Sequence, residues 1–397
     1  MGRTAYLVGG VRTPMGKYGG ILASVRPDDL ATRVVAEAVE RVGVDPGAID
    51  EVILGAANQA GEDNRNVARM AVLLAGFPHH VPGYTVNRLC ASGLTAVVDA
   101  ARAVAVGDAD VAVAGGVESM TRAPWAMTKP ERPWARPGQV VDTALGWRLV
   151  NPRMGDADAG EATISLGATA EKVAKSDGIT REESDAYALR SHQRAVAATK
   201  EGRLDGEIVP VETAQGEATT DEGPRPDTSM ERLARLRPVF AGDGVVTAGS
   251  SSPLSDGAAA LVVASEDAVS RYGLTPRARL VSTASAGVAP STMGLGPVPA
   301  TEKALARADW KAGDLEAVEL NEAFAPQVLA CVRRLDLDET TLNLDGGAIA
   351  VGHPLGCSGT RILVTLLGRM EREGARRGLA TLCVGVGQGV SVLAERA

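Results

Sequence analysis

Two cysteines and one histidine occupy separate glycine-bearing loops, where they could act on a substrate. Cys90 lies between TVNRL, a short strand-like run with a polar turn, and the helix-like stretch SGLTAVVDAA. The positive end of a helix dipole favours a thiolate, so this position predicts a nucleophilic cysteine suited to acyl transfer. The alternative is a structural cysteine, because free cysteines are often core residues.

His353 lies in the stretch GGAIAVGHPLGCSG. Glycines on both sides allow a ligand and the backbone to approach closely, and Pro354 stiffens the turn. We expect His353 to accept the Cys90 proton and then to hydrogen-bond a thioester oxygen. The alternative is a histidine without a chemical role.

Cys383 heads the glycine-rich stretch CVGVGQG, and Asn321 lies in ELNEAFAPQ. Cys383 is either a core residue or a second thiol that moves a proton. The N–H groups of Gly385 and Cys90 could form an oxyanion hole. Asn321 is either the N-cap of the following helix or an anchor for a water in a second oxyanion hole. Two thiols and a histidine suit a Claisen exchange, whereas a cysteine hydrolase would not need Cys383.

Strands alternate with helices through most of the chain, which predicts an α/β fold with a largely parallel sheet. Helices are expected in DDLATRVVAEAVERVG and in NVARMAVLLAG, with Asn66 as the cap of the second, and a helix or strand–helix unit in SDGAAALVVASEDAVSRYG. The last third repeats the order of the first third, and Ser92-Gly93 is echoed by Ser358-Gly359. A duplicated unit explains this echo and would bring Cys90, His353 and Cys383 together at a pseudo-twofold axis.

The composition excludes several classes of protein. The net charge of −8 and the aromatic content of 3% argue against a nucleic-acid binder. The four cysteines and four histidines show no zinc-type spacing, so no metal is expected. We expect a cytoplasmic protein, because no secretory signal opens the chain and no apolar run reaches membrane-spanning length.

Six segments, in this order, resemble the motifs of the thiolases: NRLCASG, AGGVESM, MGLGPVPA, ELNEAFA, GGAIAVGHPLGCSGTR and CVGVGQG. The resemblance implies two βαβαβαββ halves, a layered α-β-α-β-α core and an inserted lid domain. It also implies that Cys90 is the acylated nucleophile, that His353 is its base and that Cys383 is the acid and base for the second substrate. Asn321 would hold the oxyanion-hole water.

The resemblance further implies that coenzyme A binds as a substrate, with no other cofactor. The lid segment, residues 121–250, would hold most of it, while residues 1–120 with about 251–275 and residues 276–397 would form the two halves. The locally basic stretch 225–238 suits the phosphates of coenzyme A. The positions that match the family's coenzyme A contacts are Arg225, Phe240, Ala248, Ser252, Met293, Ala323 and Phe324.

The segments ANQAGEDNRNVARMAVLLAG, TRAPWAMTKPE and DTALGWRLVNPRM resemble the 3-oxoadipyl-CoA branch of the family, as does Ser165-Leu166 in place of a His-Met pair. Two features depart from that branch, namely TAGSSSPLSDGAA and Cys357. Acetoacetyl-CoA and fatty-acid 3-oxoacyl-CoA therefore stay open as substrates. A dicarboxylyl chain would need a cation, for which the lid segment offers Arg122, Arg148 and Arg153.

Two alternatives lie outside this activity. A ketosynthase on the same fold would want a second histidine where this chain has Asn321. A silent acyl-CoA-binding protein would be expected to lose Cys90, His353 or Cys383. The resemblance also implies a homodimer or homotetramer. The net charge of −8 argues against nucleic acid and anionic membranes as partners.

Overall fold

The computed structural model describes residues 2–130, 132–136, 138–155 and 160–397. Its strands are β1 (Ala5–Arg12), β2 (Gly16–Lys17), β3 (Glu51–Gly55), β4 (Gly83–Val86), β5 (Val111–Ser119), β6 (Trp125–Met127), β7 (Val140–Asp142), β8 (Val211–Thr213), β9 (Gly216–Ala218), β10 (Ser255–Ser265), β11 (Pro276–Gly287), β12 (Ala317–Leu320), β13 (Arg377–Val384) and β14 (Gln388–Arg396). Its helices are α1 (Pro27–Val42), α2 (Val67–Leu74), α3 (Ser92–Val106), α4 (Leu166–Asp177), α5 (Arg181–Lys200), α6 (Met230–Ala234), α7 (Glu266–Tyr272), α8 (Pro297–Ala308), α9 (Ala325–Leu335), α10 (Ala348–Val351) and α11 (Leu355–Glu373).

The large sheet consists of two halves with the same strand order. The N-terminal half runs β4-β3-β5-β10-β1 and the C-terminal half runs β12-β13-β14-β11, and β1 pairs with β11 where the halves meet. In each half the outer strands pair in parallel, and the strands towards the junction of the halves pair antiparallel. Most strand pairs of the large sheet are antiparallel, so the expectation of a largely parallel sheet is wrong. A parallel bridge from Val318 to Leu342 stands where the C-terminal half would have its third strand. The predicted duplication is therefore confirmed.

Alternate side chains of the strands point into different cores, as the strand period of two requires. On β5, Ala112 and Ala114 pack against α3 and α11, whereas Val111 and Val113 pack against α1 and α2. A third core packs α8 and α9 against the C-terminal half of the sheet. The helices α3 and α11 thus form the middle layer of the predicted α-β-α-β-α arrangement.

The predicted local signals mostly hold. Asn66 caps α2 by accepting the N–H of Arg69 at 3.2 Å. The stretch SDGAAALVVASEDAVSRYG is a strand followed by a helix, β10 and α7. The expectation that Asn321 might cap a helix is wrong, because α9 begins at Ala325 with Phe324 at the cap position.

The echo of Ser92-Gly93 in Ser358-Gly359 has a structural reason. A Cβ on Gly93 would lie 2.6 Å from the carbonyl oxygen of Gly356, and one on Gly359 would lie 2.4 Å from the amide nitrogen of Leu94. Only glycine allows so close an approach of two backbones. The N-terminal ends of α3 and α11 are therefore in contact, with Cys90 and His353 just before them.

Residues 120–254 lie between β5 and β10, and their hairpins β6–β7 and β8–β9 are separate from the large sheet. A buried ion-pair network joins this part of the chain to β1. Arg12 contacts Asp221 (Nη1–Oδ1, 2.7 Å) and Glu207 (Nε–Oε1, 2.6 Å), and all three side chains are buried. Removing one partner of such a pair typically costs about 3–5 kcal/mol.

One described stretch, Leu89–Val106, is long and apolar enough to cross a membrane by length and composition alone. It contains α3, and 67% of it is buried inside the fold. It is a core helix of the middle layer.

Candidate active site

Cys90 lies in a short 3-10 helix, Leu89–Ala91, between β4 and α3. Leu89 adopts a left-handed backbone conformation with φ of 47°, which is costly for a branched side chain. Ser92 fixes the turn, because its Oγ accepts the N–H of Arg88 at 2.8 Å and donates to the carbonyl of Leu89 at 2.7 Å. The turn places Cys90 in the wall of a cavity, which we call the Cys90 cavity.

The expectation of a thiolate at Cys90 is wrong. Burial raises the pKa of the Cys90 thiol to about 11, although the N–H of Gly385 donates a hydrogen bond to it and lowers the pKa in part. The side chain is only 8% exposed, and desolvation disfavours the charged form of a thiol. At neutral pH Cys90 therefore carries a neutral thiol, which needs a base before it can attack.

His353 is a neutral imidazole at the matching position before α11. Burial, and next the charge of Arg361, lowers the pKa of His353 to about 3. Its Nδ1 lies 2.7 Å from Ser358 Oγ, which also donates to the carbonyl of Pro354 at 2.8 Å. Because the single hydroxyl proton is directed at Pro354, we assign the imidazole proton to Nδ1. This leaves the lone pair on Nε2, a buried atom without a hydrogen-bond partner among the described residues.

Cys383 lies in the second-last position of β13, two residues before Gly385, and is 1% exposed. Burial, and next the neighbouring Cys90 thiol, raises the pKa of Cys383 well above its usual value. Cys383 is thus a neutral thiol close to Cys90. Gly385 is packed tightly, since a Cβ there would lie 3.1 Å from the Trp147 ring and 3.3 Å from Leu89.

Asn321 follows β12 directly and contacts His353, with its Nδ2 3.4 Å from Nδ1 of the imidazole. Its Oδ1 is buried and has no hydrogen-bond partner within the described part of the chain. Buried polar atoms are rarely left unpaired. This oxygen and Nε2 of His353 are therefore open positions for a substrate or a water.

Glu322 is a residue that sequence reasoning missed. Its buried carboxylate accepts four hydrogen bonds from three separate parts of the chain, and so fixes the Asn321 loop to α5 and to α10, which leads into His353. The donors are Tyr187 Oη (2.8 Å), Ser191 Oγ (2.7 Å), Asn343 Nδ2 (3.0 Å) and Ile349 N (3.1 Å). No local pattern around NEAF indicates these partners.

Glu118 was also missed, although it belongs to the motif AGGVESM. It lines the Cys90 cavity and accepts the N–H groups of Ala57 (2.9 Å), Asn58 (3.1 Å) and Gly356 (2.8 Å). Burial raises the pKa of Glu118 to about 7, against the effect of these donors. Its contact with Gly356 joins the two halves next to the beginning of α11.

The three lid arginines occupy different surroundings. Arg148 lines the Cys90 cavity. Arg122 forms an ion pair with Glu62 (Nη2–Oε1, 2.7 Å) and donates to the carbonyl of Ala23 at 3.1 Å. Arg153 is exposed, in a short 3-10 helix of residues 152–155. Neither Arg122 nor Arg153 is among the residues that line the Cys90 cavity, so the expectation that either could meet a substrate carboxylate there is not supported.

The positions expected to contact coenzyme A lie in two adjoining groups. Met293, Ala323 and Phe324 form a small apolar core with Cys383, and Phe240 packs edge-on against Phe324 with ring centroids 6.2 Å apart. The remaining members of these groups are Arg225 and Ala248, which line a second cavity, and Ser252, whose N–H donates to the carbonyl of Ala323 at 3.0 Å.

The second cavity also contains Lys17 and His192, which sequence reasoning missed. His192 accepts the backbone N–H of Arg225 at Nδ1, at 3.2 Å. Burial, and next the charge of Arg225, lowers the pKa of His192 to about 4. At neutral pH His192 is therefore an uncharged acceptor that holds the Arg225 backbone, while Arg225 and Lys17 supply positive charge.

Among the described residues, no group of three or more His, Cys, Asp or Glu side chains could hold a metal ion.

Comparison with known proteins matches the sequence to two family models and to named relatives. Residues 5–267 match the family "Thiolase, N-terminal domain" and residues 274–396 match "Thiolase, C-terminal domain". A beta-ketoadipyl-CoA thiolase of Pseudomonas aeruginosa is 53% identical over 403 positions, covering 100% of both chains. A 3-oxoadipyl-CoA/3-oxo-5,6-dehydrosuberyl-CoA thiolase of Escherichia coli is 50% identical, covering 99% of this chain and 100% of its own.

The structure is also similar to a solved one. Human mitochondrial 3-ketoacyl-CoA thiolase in complex with CoA matches with a TM-score of 0.93 and 39% sequence identity, over 100% of this chain and 98% of the human chain.

Proposed function

Because the chain belongs to the thiolase family, we propose that it transfers an acyl group from 3-oxoadipyl-CoA to coenzyme A through an acyl-Cys90 intermediate. The observation that carries this proposal is the position of a buried neutral thiol and a buried neutral imidazole, which lie just before α3 and α11, two helices whose N-terminal ends are in contact. Relatives named for beta-ketoadipyl-CoA and 3-oxoadipyl-CoA support the substrate.

In the first half-reaction His353 Nε2 takes the proton of Cys90, and the sulfur attacks the 3-keto carbon. The bond between C2 and C3 then breaks, and its electron pair goes to C2 as the enolate of acetyl-CoA. Cys383 protonates C2, and acetyl-CoA leaves. The N–H groups of Gly385 and Cys90, and a water held by Asn321, stabilise the oxyanions.

In the second half-reaction the Cys383 thiolate takes the proton of the incoming coenzyme A thiol. The coenzyme A sulfur attacks the thioester carbonyl, the bond to Cys90 breaks, and His353 returns its proton to Cys90. The product is succinyl-CoA. All protons return to their starting positions, so the cycle also runs in reverse, as a condensation.

Coenzyme A would lie across the cavity of Arg225 and the apolar group of Met293, Ala323 and Phe324. Its pantetheine arm needs an apolar path towards Cys90, and its phosphates need cations near the surface. Phe240, Ala248 and Ser252 complete this path. Arg225 and Lys17 in one cavity, and the apolar group beside Cys383, support the placement.

The same proposal extends to the domains, the location and the oligomeric state of the protein. Residues 121–250 are the lid domain, with residues 1–120 plus about 251–275 and residues 276–397 as the halves. The protein acts in the cytoplasm as a homodimer or homotetramer. It uses coenzyme A as a substrate, without a further cofactor.

Mass spectrometry after incubation with acetyl-CoA tests the intermediate. The wild-type chain gains one acetyl group on Cys90, and Cys90→Ala gains none. Cys357→Ala is the matched control, because Cys357 is a fully buried thiol elsewhere in the core. A wild-type chain without an adduct would instead indicate an acyl-CoA-binding protein.

Thiolysis of 3-oxoadipyl-CoA, 3-oxohexanoyl-CoA and acetoacetyl-CoA tests the substrate. We expect the largest kcat/KM with 3-oxoadipyl-CoA. 3-Oxohexanoyl-CoA has the same length without the carboxylate, so an equal kcat/KM would refute dicarboxylyl specificity. A preference for acetoacetyl-CoA would indicate an acetyl-CoA acetyltransferase, and one for 3-oxohexanoyl-CoA a fatty-acid thiolase.

A further inference from the structure

We propose that Arg148 binds the terminal carboxylate of the acyl chain on Cys90 and thereby selects chains that end in a carboxylate. The inference rests on the proposed function and assigns a single residue to its substrate specificity.

The Cys90 cavity combines an apolar wall with one cationic side chain. Cys90 and Gly385 lie in its lining, together with apolar side chains that include Leu89, Met120, Leu166 and Leu355. Among the described residues that line it, Arg148 is the only Lys, Arg or His. An acyl chain attached to Cys90 would therefore contact apolar side chains and lie near one positively charged side chain.

The segment that carries Arg148 is anchored on both sides of the cavity. At its start, the amide of Asn58 donates to Thr143 (Nδ2–Oγ1, 2.9 Å). At its end, the indole N–H of Trp147 donates to the carbonyl of Ile164 at 3.0 Å. The Trp147 ring also lies against Gly385, the residue whose N–H reaches the Cys90 sulfur. Arg148 therefore belongs to a wall with a defined position relative to the nucleophile.

Arg148 makes no hydrogen bond or ion pair within the described part of the chain and is half-buried, which distinguishes it from Arg122. The guanidinium of Arg122 is already engaged by Glu62 and by the carbonyl of Ala23. The other charged group of the cavity, Glu118, already accepts three backbone N–H groups. Arg148 is thus the group that remains to pair with a carboxylate.

The chemistry of the proposed reaction fits this arrangement. Cleavage between C2 and C3 of 3-oxoadipyl-CoA leaves a four-carbon chain on Cys90, with a thioester at one end and a carboxylate at the other. Its two methylenes suit the apolar wall, and a planar guanidinium suits the carboxylate. In a fatty acyl chain a methyl group would replace the carboxylate and leave Arg148 desolvated and unpaired, which is unfavourable.

Thiolysis by Arg148→Met and Arg148→Lys, with 3-oxoadipyl-CoA and 3-oxohexanoyl-CoA, tests the inference. Methionine keeps an unbranched apolar stem and removes the charge. We expect Arg148→Met to lower the ratio of kcat/KM for 3-oxoadipyl-CoA to that for 3-oxohexanoyl-CoA by about 10- to 100-fold, the range for a lost charge-assisted hydrogen bond. Arg148→Lys should recover part of the ratio. Arg153→Met, an exposed lid arginine, should keep the wild-type ratio.

Three outcomes would overturn the inference, and they are distinguishable. If the wild-type enzyme shows no preference for 3-oxoadipyl-CoA, the proposed substrate and the role of Arg148 both fail. If the wild-type enzyme prefers it and Arg148→Met keeps the preference, the substrate stands and the residue is wrong. If Arg148→Met lowers both substrates equally, Arg148 supports the wall and does not read the carboxylate. The acetyl adduct on Cys90 verifies that each variant is folded.

Discussion

The two halves of the molecule have the same order of elements and present different side chains at matching points. Cys90 lies two residues before α3, and His353 lies two residues before α11. Glu118 is the second-last residue of β5, and Cys383 is the second-last residue of β13. The duplicated fold therefore supplies paired positions around one helix contact, and the chemistry depends on what occupies each position.

The difference is largest after the second strand of each half. In the C-terminal half β12 is followed by Asn321 and Glu322, which are polar and buried, whereas in the N-terminal half β3 is followed by Ala56 and Ala57. The N-terminal half thus contributes Cys90, the proposed nucleophile, and part of the wall of its cavity, which residues 143–148, Leu355 and Gly385 help to form. The C-terminal half contributes His353, Cys383 and Asn321, which are the proposed base, second thiol and oxyanion-hole amide. Neither half is complete by itself.

We expect the largest effect from replacing Cys383, the proposed second thiol, because this removes one contribution of the C-terminal half and leaves Cys90 and His353 in place. Cys383→Ala should still gain an acetyl group on Cys90 from acetyl-CoA, because the nucleophile and its base are intact. Thiolysis should fall by about 10²- to 10⁴-fold, the usual contribution of a positioned acid or base. The readouts are the mass of the intact chain and steady-state kcat.

Cys331→Ala is the control for Cys383→Ala, since Cys331 is another buried thiol of the C-terminal half, on α9. It should keep both the adduct and kcat. Normal turnover in Cys383→Ala would show that the second thiol has no chemical role and that the C-terminal half supplies only the base and the amide.

How much the sequence could predict depends on how local each signal is. Cys90, His353 and Cys383 could be singled out because they are reactive residues in glycine-bearing loops and in family motifs, and the Ser-Gly echo indicated a duplicated unit. Glu322 could not be found, because its donors come from α5, from Asn343 and from α10. Such contacts exist only once distant segments have packed together.

The error about the Cys90 thiolate has a different origin. The helix dipole is a local feature that a sequence reveals, whereas burial depends on everything that packs above the turn. Burial has the larger effect on the pKa of this thiol. Of the three lid arginines, likewise, only the packed structure shows which one lines the cavity and which is engaged by Glu62.

A smaller effect is expected from Glu322→Gln. This variant tests whether the polar residues after β12, which the N-terminal half lacks after β3, are needed to position Asn321. Glutamine keeps the shape but cannot accept four hydrogen bonds as a carboxylate does. Asn321 and the loop before His353 should lose alignment, so kcat should fall by about 10- to 100-fold with KM changed by less than about threefold.

Glu319→Gln is the control for Glu322→Gln, because Glu319 is a buried carboxylate on β12, three residues before Glu322. Glu319 pairs with Arg369 (Oε1–Nη1, 2.8 Å), and both side chains are fully buried. Its replacement should lower the melting temperature and spare kcat. If Glu322→Gln behaved in the same way, with lower stability and unchanged kcat, Glu322 would be a structural residue and not a positioning residue.

The smallest expected effect is that of pH on the acetylation rate of Cys90. This measurement tests whether the Cys90 thiol of one half and the His353 imidazole of the other react from their neutral forms. With the pKa of Cys90 raised to about 11 and that of His353 lowered to about 3, both groups stay uncharged over the neutral range. The rate, measured by quenched mass spectrometry, should therefore be nearly level between about pH 6 and pH 9.

The same pKa shifts make a prediction for stability. The contribution of His353 to the free energy of unfolding is fully present above its ordinary pKa of 6.5 and is lost as the pH falls towards about 3. The contribution of Cys90 is fully present below its ordinary pKa of 9.0 and is lost as the pH rises through about 11.

Glu118→Gln is the control variant for the acetylation measurement, because burial raises the pKa of Glu118 to about 7 in the same cavity. If this variant still showed an acetylation rate that rises tenfold per pH unit up to about pH 9, the thiol would ionise before it meets the substrate, and the N-terminal half would act without the base of the C-terminal half.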